Sequence, residues 1–346
     1  GASSALVWYL LQRKGNILSV KGQMKEEFSH HRLHFWKQLL HSTWQIIAVG
    51  AGAPVGKEGA PREIGALLAT PLGRALDLSF KDRIFLIACG AGAGLAAVYQ
   101  VPLTSVFFIF ETLGLAFSMK RFVLAGITTY VAAYMAGLVI SDRALYQVPE
   151  ITWSPTVLWQ MVIFIAFLTP VAWLFARFTK KTANHRIKDK RILITLPLAF
   201  VFLAGLASFQ PHLLGNGRMM AQEILNGGTW QTIFLLLTLK ALVVLLTFWA
   251  GAYGGTLTPS FALGMAGAAL ISLVLGIGNT PAFFLLGSVC FLTVTLKAPL
   301  SATGLVLGFT GQGLTALPYL LLTAFLTVGF SKGLDHLMGK KSRSLQ

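Results

Sequence analysis

Four stretches of this chain run with almost no charge: residues 161–175, 192–209, 233–253 and 283–296. A helix needs about 20 apolar residues to cross roughly 30 Å of hydrocarbon, and several of these runs approach that length. Soluble helices alternate apolar and charged faces, which these do not. With 55% of residues hydrophobic, 12% charged and a mean hydropathy of +0.69, the chain lies outside the range of soluble domains. The pattern predicts an all-α, polytopic membrane protein with roughly ten to twelve hydrophobic helical segments, several too short to span.

The net charge of +16 raises nucleic acid as a partner, and its distribution argues against one. Basic residues collect at 21–37, together with His30, His31 and His34, at 180–191, and at 332–343. Such clusters between apolar spans are the signature of cytoplasmic loops, so the lipid bilayer is the expected partner. The loops at 142–150 and 210–216 are poorer in Lys and Arg and are expected outside. Cys89 and Cys290 lie in apolar stretches and read as small buried hydrophobes. The chain opens Gly1-Ala2-Ser3-Ser4 without a secretory signal pattern, and its first apolar segment, 5–11, is too short to span. It reads as the remainder of a longer protein whose first helices precede it. No metal-ligand cluster, nucleophile elbow or phosphate loop is visible, so no metal, cofactor or enzymatic activity is expected.

A pair of patterns occurs twice. Gly52-Ala-Pro-Val-Gly56-Lys57-Glu58-Gly59-Ala60-Pro61 opens one helix, and Tyr99-Gln-Val-Pro102-Leu103 opens another that runs to Glu111-Thr112. Later, Gly251-Ala-Tyr-Gly-Gly255-Thr256-Leu257-Thr258-Pro259 opens a helix, and Leu296-Lys-Ala-Pro299-Leu300 opens one that ends near Phe309-Thr310. Gly56 precedes Pro102 by 46 residues and Gly255 precedes Pro299 by 44. This points to two homologous halves, 1–150 and 151–346, of inverted topology, with broken or re-entrant helices and a substrate site at their interface. A helix that starts within the bilayer exposes amides that must meet protein or a polar cavity. Those amides, the helix dipole and the close approach that Gly permits suit an anion. The ordinary alternative is that these Gly and Pro residues only pack or kink helices.

These residues resemble the CLC family of chloride channels and anion/proton antiporters. Gly56–Pro61 looks like the family's Gly-Arg/Lys-Glu-Gly-Pro, and Gly255–Pro259 like its Gly-x-Phe-x-Pro. The run from Gly90 through Pro102 to Glu111, and Ala298-Pro299-Leu300-Ser301 with Phe309–Gln312, resemble the segments that follow each motif. The similarity runs from about residue 15 to 338. It implies a homodimer with one anion pathway per subunit, in a bacterial plasma (inner) membrane, carrying halide anions (fluoride or chloride) and protons. By the same resemblance Glu58 is the gating glutamate and proton carrier, and Gly56, Lys57, Gly59, Gly255, Thr256, Leu257 and Thr258 bind the anion. Glu111 and Thr112 stand where a proton path would run.

Some positions depart from the chloride/proton antiporters. The family's Gly-Ser-Gly-Ile-Pro has no clear counterpart, the nearest stretch being residues 15–19. The internal glutamate expected just after Glu111 is Thr112, and no central-site tyrosine is evident near the carboxyl end, where Tyr319 is the last. The fluoride/proton branch shares these features and places a Thr before the late Pro, as Thr258 precedes Pro259, although its Glu two residues earlier is Thr256 here. Fluoride/proton exchange is therefore the leading expectation. A chloride/proton antiporter, a passive chloride channel and a non-transporting scaffold are the alternatives.

The acidic residues carry separate expectations. A carboxylate in the membrane interior is costly, so Glu58 is expected to exchange a proton; its ordinary alternative is a salt bridge to Lys57 or Arg62. Glu63, five positions on, points elsewhere, and either a structural ion pair or a transport role fits it. Glu111 at the end of its run reads as a cap on a neighbouring helix or as a proton relay. The tryptophans, Trp8 among them, read mostly as interfacial anchors.

Overall fold

The computed structural model describes residues 1–13, 15–28, 34–140, 144–277 and 280–343. The expectations placed on His30, His31 and Asp142 lie outside these residues. Among them the chain forms fifteen α-helices and two short 3-10 turns. In order they are α1 (Ala2–Arg13), α2 (Val20–Phe28), α3 (Phe35–Gly50), α4 (Gly59–Ala75), α5 (Phe80–Tyr99), α6 (Pro102–Glu111), α7 (Met119–Gly137) and α8 (Val157–Asn184). There follow α9 (Ile192–Phe209), α10 (Arg218–Leu225), α11 (Trp230–Ala250), α12 (Leu257–Leu275), α13 (Pro281–Leu296), α14 (Pro299–Thr310) and α15 (Leu317–Arg343).

Six segments are long and apolar enough to cross a membrane: α5, α8, α9, α11, α12 and 314–338. The helices α6, α13 and α14 are apolar but shorter. Lipid is not the neighbour of them all. Every residue of α12 from Leu257 to Ala269 is buried, as an all-round apolar helix at the centre of a bundle should be. Many side chains of α9 and α7 are exposed and face outward.

The repeat read from the sequence is built as two helix pairs. α4 packs along α5, and α12 along α13. A Cβ at Gly65 would overlap the Gly90 carbonyl, and a Cβ at Gly264 would overlap that of Gly287. Gly65 lies nine positions after Gly56 and Gly264 nine after Gly255; Gly90 and Gly287 each stand twelve before the Pro that opens the next helix. The breaks match as well. α5 ends on Gln100 at φ 55° and α13 on Lys297 at φ 56°, both left-handed, and two residues later Pro102 and Pro299 begin α6 and α14. Proline is suited to that first turn, where its missing N–H has no partner to lose.

One detail overturns a sequence expectation and two lie outside any. Trp8 does not sit at an interface: it is fully buried, with its ring centroid 5.8 Å from that of Tyr253. The run 233–253 hides Lys240 within the bundle. Its ammonium donates to the carbonyls of Leu213 at 2.8 Å and Gly215 at 2.6 Å, satisfying a connector that has no strand or helix partner there. Away from the spans, Glu27 of α2 is buried against Arg74 and Arg83. Burial alone would raise its carboxyl, but the two guanidiniums outweigh that and hold it below the usual carboxylate range. The tie it makes is present above the ordinary glutamate pKa and lost as pH falls through the depressed value.

Candidate functional site

The site forms where the two motif segments meet. The Gly56 N–H donates to the Gly255 carbonyl at 2.8 Å and the Gly255 N–H donates to the Gly56 carbonyl at 2.7 Å. This antiparallel bridge is possible because neither residue carries a side chain. A Cβ on either would overlap the Glu58 carboxylate.

Glu58 caps the start of α4 and is fully buried. Its carboxylate reaches the other half of the chain. Oε1 accepts the Leu257 N–H at 2.5 Å and the Thr258 N–H at 3.4 Å, and Oε2 accepts the Thr258 hydroxyl at 3.3 Å. These are the free donors of the first turn of α12, reinforced by its dipole. The salt-bridge alternative fails: among the described residues the carboxylate has no cationic partner. Arg62 donates instead to the Glu58 backbone carbonyl at 2.6 Å and stacks 5.0 Å from the Phe108 ring. Gln45 approaches the Gly56 carbonyl from α3 at 3.4 Å. The carboxylate itself fills the donors that the first turn of α12 offers.

A cavity of about 310 Å³ adjoins this point, lined by Arg62, Lys180, Arg186, Gly255, Thr256 and Leu257 among others. Its cations come from α4 and from the basic 180–191 segment, so it draws anions toward the first turn of α12. Thr256 caps α12 and faces this cavity without bonding its own helix. Gly59 begins α4 against Gln45, and Lys57 is half-buried, its carbonyl accepting the Ala60 N–H.

Glu111 is elsewhere. Its Oε1 accepts the Leu300 N–H at 3.0 Å, and its Oε2 accepts the Ser301 N–H and hydroxyl, both at 2.7 Å. It caps α14 as Glu58 caps α12. Thr112 is next to it, its hydroxyl buried without a partner among the described residues.

The sequence did not single out Tyr99 or Tyr146. Among the described residues both hydroxyls are buried without a hydrogen-bond partner, and both lie within electrostatic reach of Glu58. Tyr146 stacks on Phe261 with ring centroids 4.4 Å apart and planes at 6°. Tyr99 and Tyr146 each pack against Phe309. The Tyr99-Gln-Val-Pro break was a signal for the first. Nothing in the sequence marked the second, which comes from the connector between α7 and α8.

With this geometry in hand, comparison with known proteins is decisive: the voltage gated chloride channel family model matches residues 2–332. The chain belongs to that family. Among curated relatives, the H(+)/Cl(-) exchange transporter ClcA of Vibrio cholerae is 28% identical over 307 residues, covering 82% of this chain and 64% of that protein. A ClcB-like chloride channel protein from Ralstonia nicotianae is 24% identical over 321 residues, covering 84% and 71%. This chain thus spans about two thirds of their length. Among solved structures, a slow cyanobacterial Cl-/H+ antiporter superposes with a TM-score of 0.84 at 20% identity, over 96% of this chain and 81% of that one. A CLC-type fluoride/proton antiporter superposes at 0.70 with 18% identity, over 95% and 79%. The fold is therefore that of CLC transporters, and the chain is a multi-span integral membrane protein.

Thr258 gives the first testable point. Replacing it with Ala removes the one side-chain donor that Glu58 has among the described residues and leaves the amides in place. Anion flux from liposomes is expected to fall by roughly tenfold, the value of a hydrogen bond to a charged group. Leu242→Ala, on the exposed side of α11, is expected to leave flux unchanged. Equal losses in the two variants would reduce Thr258 to a packing role.

Proposed function

We propose that the chain exchanges a halide for protons across the membrane, with Glu58 as gate and proton carrier. The single observation that supports this reading is the Glu58 carboxylate on the amides of Leu257 and Thr258 and on the Thr258 hydroxyl. Ionised, it competes with the anion for these donors. Protonated, it loses most of its attraction for them and vacates the site. Exchange then follows from mutual exclusion.

Fluoride is the ion the donor set favours. It is small and strongly hydrated, so its pathway must offer several strong donors, and two amides plus a hydroxyl converge here. The Thr258-Pro259 pair and the threonine after Glu111 support the same choice. Chloride is the second reading, carried by the names of the relatives and by the solved Cl-/H+ antiporter. The test loads liposomes with either salt and follows anion efflux together with proton uptake. Fluoride should drive faster anion and proton movement; chloride driving both faster gives the second reading, and anion movement without protons leaves a channel.

The working form we propose is a homodimer within the bilayer, of halves 1–150 and 151–346 in each subunit. α7 offers an apolar surface for it, with Ile127, Val131, Tyr134 and Leu138 exposed. Light scattering in mild detergent should give twice the monomer mass; a persistent monomer counts against the dimer. Glu111 in this reading positions α14, whose first turn its two oxygens hold.

A further inference from the structure

The exchange reading leaves a gap: Thr112 has no titratable group, and Glu111 is committed to α14, so a proton must reach Glu58 by other residues. α3 supplies an alternative. Its buried face carries Gln38, His41, Ser42 and Gln45, a polar strip on the inward side of the helix. Buried polar side chains are costly unless they are bonded.

Opposite the strip stands Glu63 of α4. Its Oε2 accepts the Ser42 hydroxyl at 3.1 Å and lies 3.5 Å from His41 Nε2. The His41 side chain is 1% exposed and its Nδ1 has no hydrogen-bond partner among the described residues, whereas Glu63 is 12% exposed. Buried polar atoms are nearly always paired, so the orphaned nitrogen asks for an explanation. The His41 ring meets Tyr253 edge-on at 4.9 Å, and the Arg186 guanidinium lies 3.8 Å over that tyrosine. Arg186 lines the cavity that reaches Thr256 and Leu257. The pair therefore sits behind the cavity wall.

The charged and titratable groups around it are few. From the segment after α8, Arg186 lies within electrostatic reach of Glu63, and from the segment before α12 so does Tyr253. α2 contributes the neutral Gln23, whose amide donates to the Glu63 carbonyl at 3.2 Å. On α4 itself stand Arg62 and Glu58. α3 and α4 run antiparallel: Gln45 meets Gly56 and Gly59, and one turn on, His41 and Ser42 meet Glu63. The pair thus stands one helical turn along α3 and α4 from the level where Gln45 meets Gly56.

We propose that His41 and Glu63 form the proton-exchange station that serves Glu58, a role that rests on the exchange reading above. A proton from water at the partly exposed Glu63 carboxylate binds it and passes to His41 Nε2. It leaves to a water beside Gln45, and that water protonates Glu58. Only O–H and N–H bonds form and break, and the pair returns to its starting charge when the proton leaves.

The test reconstitutes the full chain, wild type and variants, and records halide-driven proton uptake and anion efflux on the same liposomes. His41→Gln and Glu63→Gln should each lower proton uptake and the anion efflux coupled to it together, at least about tenfold, as removal of a proton-transfer group does. In a Glu58→Ala background, where no carboxylate has to be protonated, either change should leave anion efflux as it was. Glu63→Asp, which keeps the carboxylate, should retain most of the proton flux. Unchanged proton uptake in both Gln variants overturns the inference, and so does a fall of anion efflux when either change is added to Glu58→Ala, which is what a structural role gives. If Glu63→Gln does not yield monodisperse protein, His41→Gln decides alone. A wild type that moves no protons removes the exchange reading and this inference together; a coupled wild type with variants at the wild-type rate removes this inference only.

Discussion

Glu58→Gln is expected to reduce halide-driven proton uptake to the leak of protein-free liposomes. The amide keeps nearly the shape of the side chain but cannot change its charge, so the alternation between occupying and leaving the first turn of α12 is lost. Anion flux in this variant takes one of two values. If the amide stays on the Leu257 and Thr258 donors, flux is blocked; if it vacates them, flux continues without protons and loses its pH dependence. The carboxylate oxygen that now accepts from Leu257 at 2.5 Å makes vacating the more favourable outcome, because an amide can present that oxygen only without charge and so binds the helix start less tightly. Uphill proton movement at the wild-type rate would falsify the assignment of the gate.

Gly65→Leu is expected to prevent recovery of folded protein. Already at Cβ the new side chain overlaps the carbonyl of Gly90, a backbone atom that cannot rotate away, so α4 and α5 must separate. Overpacking typically costs about 1–3 kcal/mol where side chains can shift, and here the obstacle is main chain, so the effect belongs at or beyond the upper end. Gly264→Leu should behave alike, since it meets the Gly287 carbonyl in the second half. Gly126→Leu is the control. That glycine has open space where its Cβ would stand, and its variant should elute and resist heat like wild type. Size-exclusion profiles after mild solubilisation distinguish the three; a monodisperse Gly65→Leu protein would show that the close helix contact is dispensable.

The glycine contacts bear on how much of this molecule could be read in advance. The offsets that place Gly65 and Gly264, and Gly90 and Gly287, at matching positions are present in the sequence, but nothing there tells a packing glycine from a flexible one. Gly126 looks the same, yet a Cβ there would meet no described atom within 4 Å. Likewise Glu58, Glu63 and Glu111 are all carboxylates beside apolar runs. Burial, partner and direction separate them: one lies on the start of α12, one against His41, and one on the start of α14.

The sequence by itself determined the environment, the helical build, the broken helices and the repeat, because these depend on local patterns. Uncharged runs must leave water, Pro102 and Pro299 must open helices, and Gly56-Lys57-Glu58-Gly59 recurs in spirit at Gly255-Thr256-Leu257-Thr258. It also marked Glu58, since a carboxylate among such residues is costly without a purpose. Only the tertiary structure decided what each group touches. Glu58 bonds an amide 199 positions away, Glu111 caps a helix 189 positions away, and Tyr146 reaches the gate from a connector that looks like an ordinary loop. Those pairings depend on how the halves fold together, and once Gly56 and Gly255 exchange backbone hydrogen bonds, the carboxylate beside one has the helix start beside the other as its nearest set of donors.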